Sequence, residues 1–356
     1  MSLSIHRTLG LACAFLLLAA AQVAPAAQRT FVASTGNDAN ACSLATPCRG
    51  FARAMTQTDS KGEIIVLDSA GYGAVTVDKS VSIIAPPGVY AGITVFSGDG
   101  IVVNGSGISV VLRGLTINGQ GGSRGIWYTF GAKLLIDRCT VANFSGEGID
   151  IGYAGEIVIA DSNIRGNLEG IKVRVNPQVL VMRTHVEGNA AAGIDFAPAL
   201  GASSLAVIDS HIIRNATGIS TIPTGFPTTV TIARSWIAEN SQAAIAVSTF
   251  DAAASVDFDM RETTIAGNHN GVAISANGGL GAISASLTDN RISGNLNTGL
   301  QVVNAGTVAV IDRNTISHNA TGIFRSGGIV RTRSTNTVRG NSSDVIGGPL
   351  TGVGGT

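Results

Sequence analysis

The feature that most constrains this chain is a phrase that keeps returning: apolar-x-apolar, a charged residue, a small polar residue, x-Ile-x-x-Asn, a few turn residues, then Gly-Ile. It reads IVIADSNIRGNLEGIKV from Ile157, LAVIDSHIIRNATGIS from Leu205 and VAVIDRNTISHNATGIF from Val308. Anchoring on the central Ile or Val aligns Asn167, Asn189, Asn215, Asn240, Asn268, Asn295, Asn319 and Asn341, at spacings of 22 to 28 residues. A period in this range marks a solenoid, whose units bury their apolar faces only by stacking. Each copy holds three apolar stretches of strand length with alternating patterning and no helix-length segment, so the unit is β. In such a stack each strand meets its equivalent one coil on at about 4.8 Å. Like side chains then stack on like, and buried Asn amides can hydrogen-bond along the axis. The Asn column is therefore expected to be a structural ladder. Two earlier copies replace the Asn with Gln120 and Phe144, and weaker copies run back to about Gly62.

The Asn column, together with Gly170-Ile171, Gly193-Ile194, Gly218-Ile219 and Gly322-Ile323, resembles the right-handed parallel β-helix of the pectate-lyase-like superfamily over nearly all of the mature chain. More narrowly, RTFVASTGNDANAC and PCRGFARAM, followed by GEIIVLDSAGYGAVTVDKSVSIIAP, resemble the N-terminal region of secreted bacterial β-helix proteins that lack an assigned activity. The resemblance implies an all-β fold with three strands per coil and roughly 10–12 coils. It also implies an N-terminal cap, for which a short amphipathic helix over Gly50–Thr58 is the candidate. The expected boundaries are a leader over 1–26, an N-terminal loop and cap helix over 27–61, the β-helix over 62–341 and a Gly-rich tail over 342–356. Such membership specifies fold far more than function.

The leader expectation rests on a basic start (His6, Arg7), an apolar run from Leu9 to Ala21 and small residues at Ala24 and Ala26. That run is too short to span a bilayer, and no later segment approaches ~18 apolar residues, so an exported protein without a membrane span is expected. Cys13 leaves with the leader. Cys42 and Cys48 lie close together in a loop of a chain bound for an oxidising compartment and are paired as a disulfide, whereas Cys139 is expected to be a small packed thiol. The 23 basic and 23 acidic residues cancel, and only four of the former are lysines. No basic stripe is present, which excludes the footprint of a nucleic-acid binder.

Numbering each coil back from its Asn places apolar residues inward at ten, eight and three before it, as in Ile157, Ile159 and Ile164. Six before it run Arg138, Asp161, Arg183, Asp209, Arg234, Glu262, Asp289 and Arg313, whose mostly alternating signs predict a salt ladder that sets register. Outward on the second strand, His185, His211 and Trp236 fall at one position in consecutive coils, with Asn163 and Thr264 beyond them and Glu187 beside them. That set has the chemistry of acid and base groups or metal ligands, next to a flat surface for a sugar ring. The first strand's outer face is bland at Val158, Leu180, Met182 and Ile208, a row suited to packing against another subunit. It turns polar at Asp257, Asp259 and Arg261, with oxygen ligands for calcium and a guanidinium for a carboxylate. The third strand carries Trp127, Asp150, Lys172 and Asp195 on successive coils, either as a further salt ladder or as a glycan surface. In the glycan version Trp127 is the stacking platform, and Asp150 and Asp195 are spaced like the carboxylates of an inverting glycosidase. The coils near Phe226 and Gly278 are longest, and their extra residues must bulge outward.

The expectation for function is recognition of a polysaccharide or cell-surface glycan, extended to cleavage if the protein is a lyase or a glycoside hydrolase. The alternative is a non-catalytic surface or matrix scaffold.

Overall fold

The computed structural model describes residues 27–277 and 280–353; the expected leader over 1–26 and the bulge at Gly278 fall outside the described residues. The strands form three parallel sheets of 14, 12 and 12 strands. One coil contributes Glu156–Ala160 to the first sheet, Asn163–Arg165 to the second and Glu169–Val173 to the third. Each of these pairs in parallel register with its counterpart one coil on: Gln178–Met182, His185–Glu187 and Ala192–Phe196. At about 4.8 Å per strand, the sheets of 12 strands make a rod roughly 53 Å long.

Alternation sends every second side chain into the lumen of the coil. On the second sheet each strand from Thr140–Ala142 to Thr315–Ser317 has only three residues, so a single inward position carries its packing. Ile164, Val186, Ile212, Ile237, Ile265, Ile292 and Ile316 fill that position and are all fully buried. Each contributes about 1.5–3 kcal/mol of burial. β-branched residues suit this role because their restricted χ1 matches a stacked, pleated wall.

The coil turns at left-handed residues. The charged column from Arg138 to Arg313 sits at the corner between the first and second sheets, with φ of 47–58° at all eight positions. Its charges point to solvent and form separate pairs, Asp161 with Arg183, Asp209 with Arg234 and Asp289 with Arg313. Arg138 turns instead to Asp137. The expected continuous salt ladder is therefore a set of corner clasps, because a left-handed corner aims the side chain along the axis toward one neighbour. A second left-handed corner precedes each ladder Asn, taken by Gly166, Gly188, Gly267, Gly294 and Gly340 and elsewhere by Arg214, Glu239 and His318.

The residue after each corner faces inward with a backbone N–H that needs a partner. After the second corner the Asn column supplies it. From Asn167 to Asn319 each backbone N–H donates to the Oδ1 of the next Asn at 3.0–3.1 Å, and each Nδ2 donates to the same oxygen at 2.9–3.2 Å. After the first corner a parallel column does the same work: Cys139, Ser162, Thr184, Ser210, Ser235, Thr263, Asn290, Asn314 and Asn336. The glycine of each Gly-Ile makes room for the amide. A Cβ on Gly193 would lie 2.8 Å from the Asn215 Nδ2, and one on Gly148 would lie 2.7 Å from the Asn167 Nδ2.

Helix Phe51–Gln57 closes the N-terminal end by burying Phe51, Ala54 and Met55. Lys79 Nζ donates to the carbonyls of Met55 and Thr58, placing a cation at the helix C-terminus. Cys42 and Cys48 form a disulfide in the loop before the helix. Sheet pairing extends past both ends of the expected 62–341 span: Ala27–Val32 pairs with Thr58–Val66, and Ser343–Ile346 and Thr351–Gly352 pair with the last full coil. Among the described residues no helix is long and apolar enough to cross a membrane.

Candidate functional site

The polar group with the most elaborate support lies on the outer face of the third sheet. Register places Trp127 beside Asp150, Asp150 beside Lys172, and Lys172 beside Asp195. Asp150, expected on the surface, is only 1% exposed. Two guanidiniums from the coils on either side cover it. Arg174 donates from Nε to Oδ1 at 2.9 Å and from Nη2 to Oδ2 at 3.3 Å, and Arg124 reaches Oδ2 from Nη1 at 3.4 Å. Arg124 also holds Asp99 at 2.9 Å, and Arg174 holds Glu147. A carboxylate enclosed in this way is not presented to a substrate, so Asp150 and Asp195 do not form an open glycosidase pair.

Arg124 does a further thing: its guanidinium lies 3.6 Å over the Trp127 ring. One face of that partly exposed indole is thus occupied by a cation, a contact of about 0.5–2 kcal/mol. Arg124, Trp127, Thr129, Asp150, Gly152 and Arg174 line a surface depression of about 460 Å³. One coil on, Lys172 bridges Glu169 at 2.7 Å and Asp195 at 3.2 Å. Burial pulls its ammonium down, but the Glu169 hydrogen bond and the two carboxylate charges outweigh that and leave its pKa raised. Arg124, Glu147 and Arg174, which hold this group together, were not singled out from sequence. The signal available was their placement: Arg124 just before a Gly-Ile, Arg174 just after a third strand.

On the second sheet His185, His211 and Trp236 do stack as expected, with ring centroids 4.6 Å and 5.6 Å apart. Glu187 is not joined to the imidazoles; its carboxylate takes Arg214 Nη2 at 2.6 Å. Burial and the neighbouring His185 hold the His211 pKa below its ordinary 6.5. On the first sheet Asp257 is exposed while Asp259 is tied to Arg261 at 2.6 Å, and Asp312 pairs with Arg313. Among the described residues no three His, Cys, Asp or Glu side chains gather into a metal cage. Cys139 is buried and its thiol is pushed up to about 12 by desolvation, so it is not a nucleophile. Phe226 projects from the corner between the third and first sheets, as do Leu200, Phe250 and Leu280 in neighbouring coils.

Residues 99–259 match the family model described as a right handed beta helix region. The fold is a right-handed parallel β-helix. This β-helix is similar to a solved pectate lyase, Pel9A, with 14% identity and a TM-score of 0.56 over 90% of this chain and 80% of that one. It is also similar to the A-module of the Azotobacter vinelandii mannuronan C-5 epimerase AlgE4, with 14% identity and a TM-score of 0.57 over 83% of this chain and 91% of that one. At this level of identity the likeness is one of fold. No curated protein sequence matches the β-helix.

Proposed function

We propose that this β-helix is an exported protein that binds a polysaccharide along its third sheet, through Trp127 and the guanidiniums of Arg124 and Arg174. The observation that carries this is the indole stacked under Arg124 in a depression that the clamped Asp150 also lines. Aromatic surface beside fixed donors and acceptors suits a ligand made of apolar ring faces and hydroxyls. Both solved neighbours are named for polysaccharide chemistry, which favours a polysaccharide ligand in general, although their own pectate and mannuronan are acidic. Export is supported by the disulfide, which persists in oxidising compartments.

Charge narrows the ligand. The network holds Asp99, Glu147, Asp150, Glu169 and Asp195 against Arg124, Lys172 and Arg174, so carboxylates exceed cations. A polyanionic glycan would meet repulsion, and a neutral one would not. The proposed act is recognition, since the carboxylates of this sheet are engaged with cations. Calorimetry against neutral and acidic polysaccharides, with mass spectrometry of the glycans afterwards, tests it. Binding to a neutral glycan, weakened about thirtyfold in Trp127→Ala and unchanged in Trp236→Ala, is expected from the roughly 2 kcal/mol that truncating a buried Trp anchor costs. Binding that survives Trp127→Ala in a folded protein overturns the site, and new chain ends after incubation overturn the non-cleaving part.

A further inference from the structure

The second sheet carries a feature that the polysaccharide site does not use. His185 opens strand His185–Glu187, His211 opens strand His211–Ile213, and parallel register sets them opposite one another. Their rings lie with centroids 4.6 Å apart and planes at 64°, and both reach solvent. Two metal–nitrogen bonds of about 2 Å meeting near a right angle need nitrogens about 3 Å apart, which rings at this separation can supply by small χ rotations.

Of the nearby guanidiniums, Arg183 is paired with Asp161, Arg234 with Asp209 and Arg214 with Glu187, whereas Arg165, opposite Glu187 in register, forms no ion pair among the described residues. The backbone beneath is fixed by sheet pairing on both sides, so binding orders no loop. We propose that His185 and His211 clamp a borderline divalent transition ion between adjacent coils, with water completing the shell. Imidazole nitrogens select copper, nickel and zinc over calcium and magnesium, and copper(II) is bound tightest of the divalent series.

Trp236 is a built-in reporter, because its ring centroid lies 5.6 Å from that of His211. The experiment is titration of the full, tag-free chain with copper(II), read by tryptophan emission and by calorimetry. Trp127→Phe isolates the Trp236 signal, and circular dichroism checks each variant for folding. Saturable quenching at one ion per chain is expected. His185→Ala and His211→Ala should each weaken it by at least about tenfold, the loss seen even for residues that only support a ligand. His318→Ala should leave it unchanged. Quenching that never saturates, or an affinity unaltered in both His185→Ala and His211→Ala, overturns the site.

Discussion

Replacing one interior rung of the Asn ladder should cost far more than replacing its last rung. Asn215 accepts from the N–H and the Nδ2 of Asn189, at 3.0 and 2.9 Å. It donates to Asn240 Oδ1 and to the carbonyls of Val186 and Ile213. It is 2% exposed, and Asn189 is equally buried. Asn215→Ala leaves both Asn189 donors without an acceptor in a site closed by neighbouring coils. Each stranded donor costs about 1–3 kcal/mol, so the loss is about 4 kcal/mol. Asn341 likewise accepts from the N–H and Nδ2 of Asn319, both at 3.0 Å, but it stands where solvent reaches, and its own donors go to Asp344 Oδ1 of the same coil and to the Ile316 carbonyl. Water can replace much of what Asn341→Ala removes, and that variant should lose about 1 kcal/mol. Guanidinium unfolding followed by far-ultraviolet circular dichroism gives both values. If Asn215→Ala loses no more than Asn341→Ala, the amides do not carry the stability assigned to them.

Gly193→Ala should destabilise by displacing the Asn215 amide and the Gly218 carbonyl, each 2.8 Å from the added carbon; a melting temperature equal to the parent's would refute the seat. Cys42→Ser with Cys48→Ser should lower stability by about 2 kcal/mol, the loop-closure value for so short a ring. Equal unfolding midpoints with and without reductant would count against that. His211 is held below 6.5, so its neutral form is the one the fold favours. Stability from it is present above pH 6.5 and is lost as pH falls through its lowered value, and proton NMR should show its titration below 6.5. A midpoint at or above 6.5 would contradict the burial argument. Cys139 should resist thiol reagents until the protein unfolds, since the thiol is buried with its pKa near 12; rapid labelling of native protein would refute its placement.

Periodicity made the architecture legible because a solenoid writes the same contact once per coil. The Asn column and the inward Ile row could be read from residue order alone, and the cap helix followed from the family resemblance. The second ladder was harder. Its small polar residue recurs in every copy, but it changes among Ser, Thr and Asn, and only the left-handed corner before it explains why any short acceptor serves. The same corner explains why the charged column pairs in twos. The third-sheet group was legible as a row and not as a site. Trp127, Asp150 and Lys172 follow from spacing, whereas the burial of Asp150 depends on Arg124 and Arg174 reaching from coils on either side. Such reach is a matter of side-chain direction, which a repeat pattern does not encode.

The two columns of side-chain hydrogen bonds run one way, each rung giving its protons toward the C-terminal coil. A rod built like this has unlike ends: one is satisfied at its start by receiving the N–H of Phe144, and the other would finish with donors reaching outward. Asp344 folds back to meet those donors with its own carboxylate. The Asn column therefore has a built-in end, because the protons a further rung would receive are already taken by a single acidic side chain.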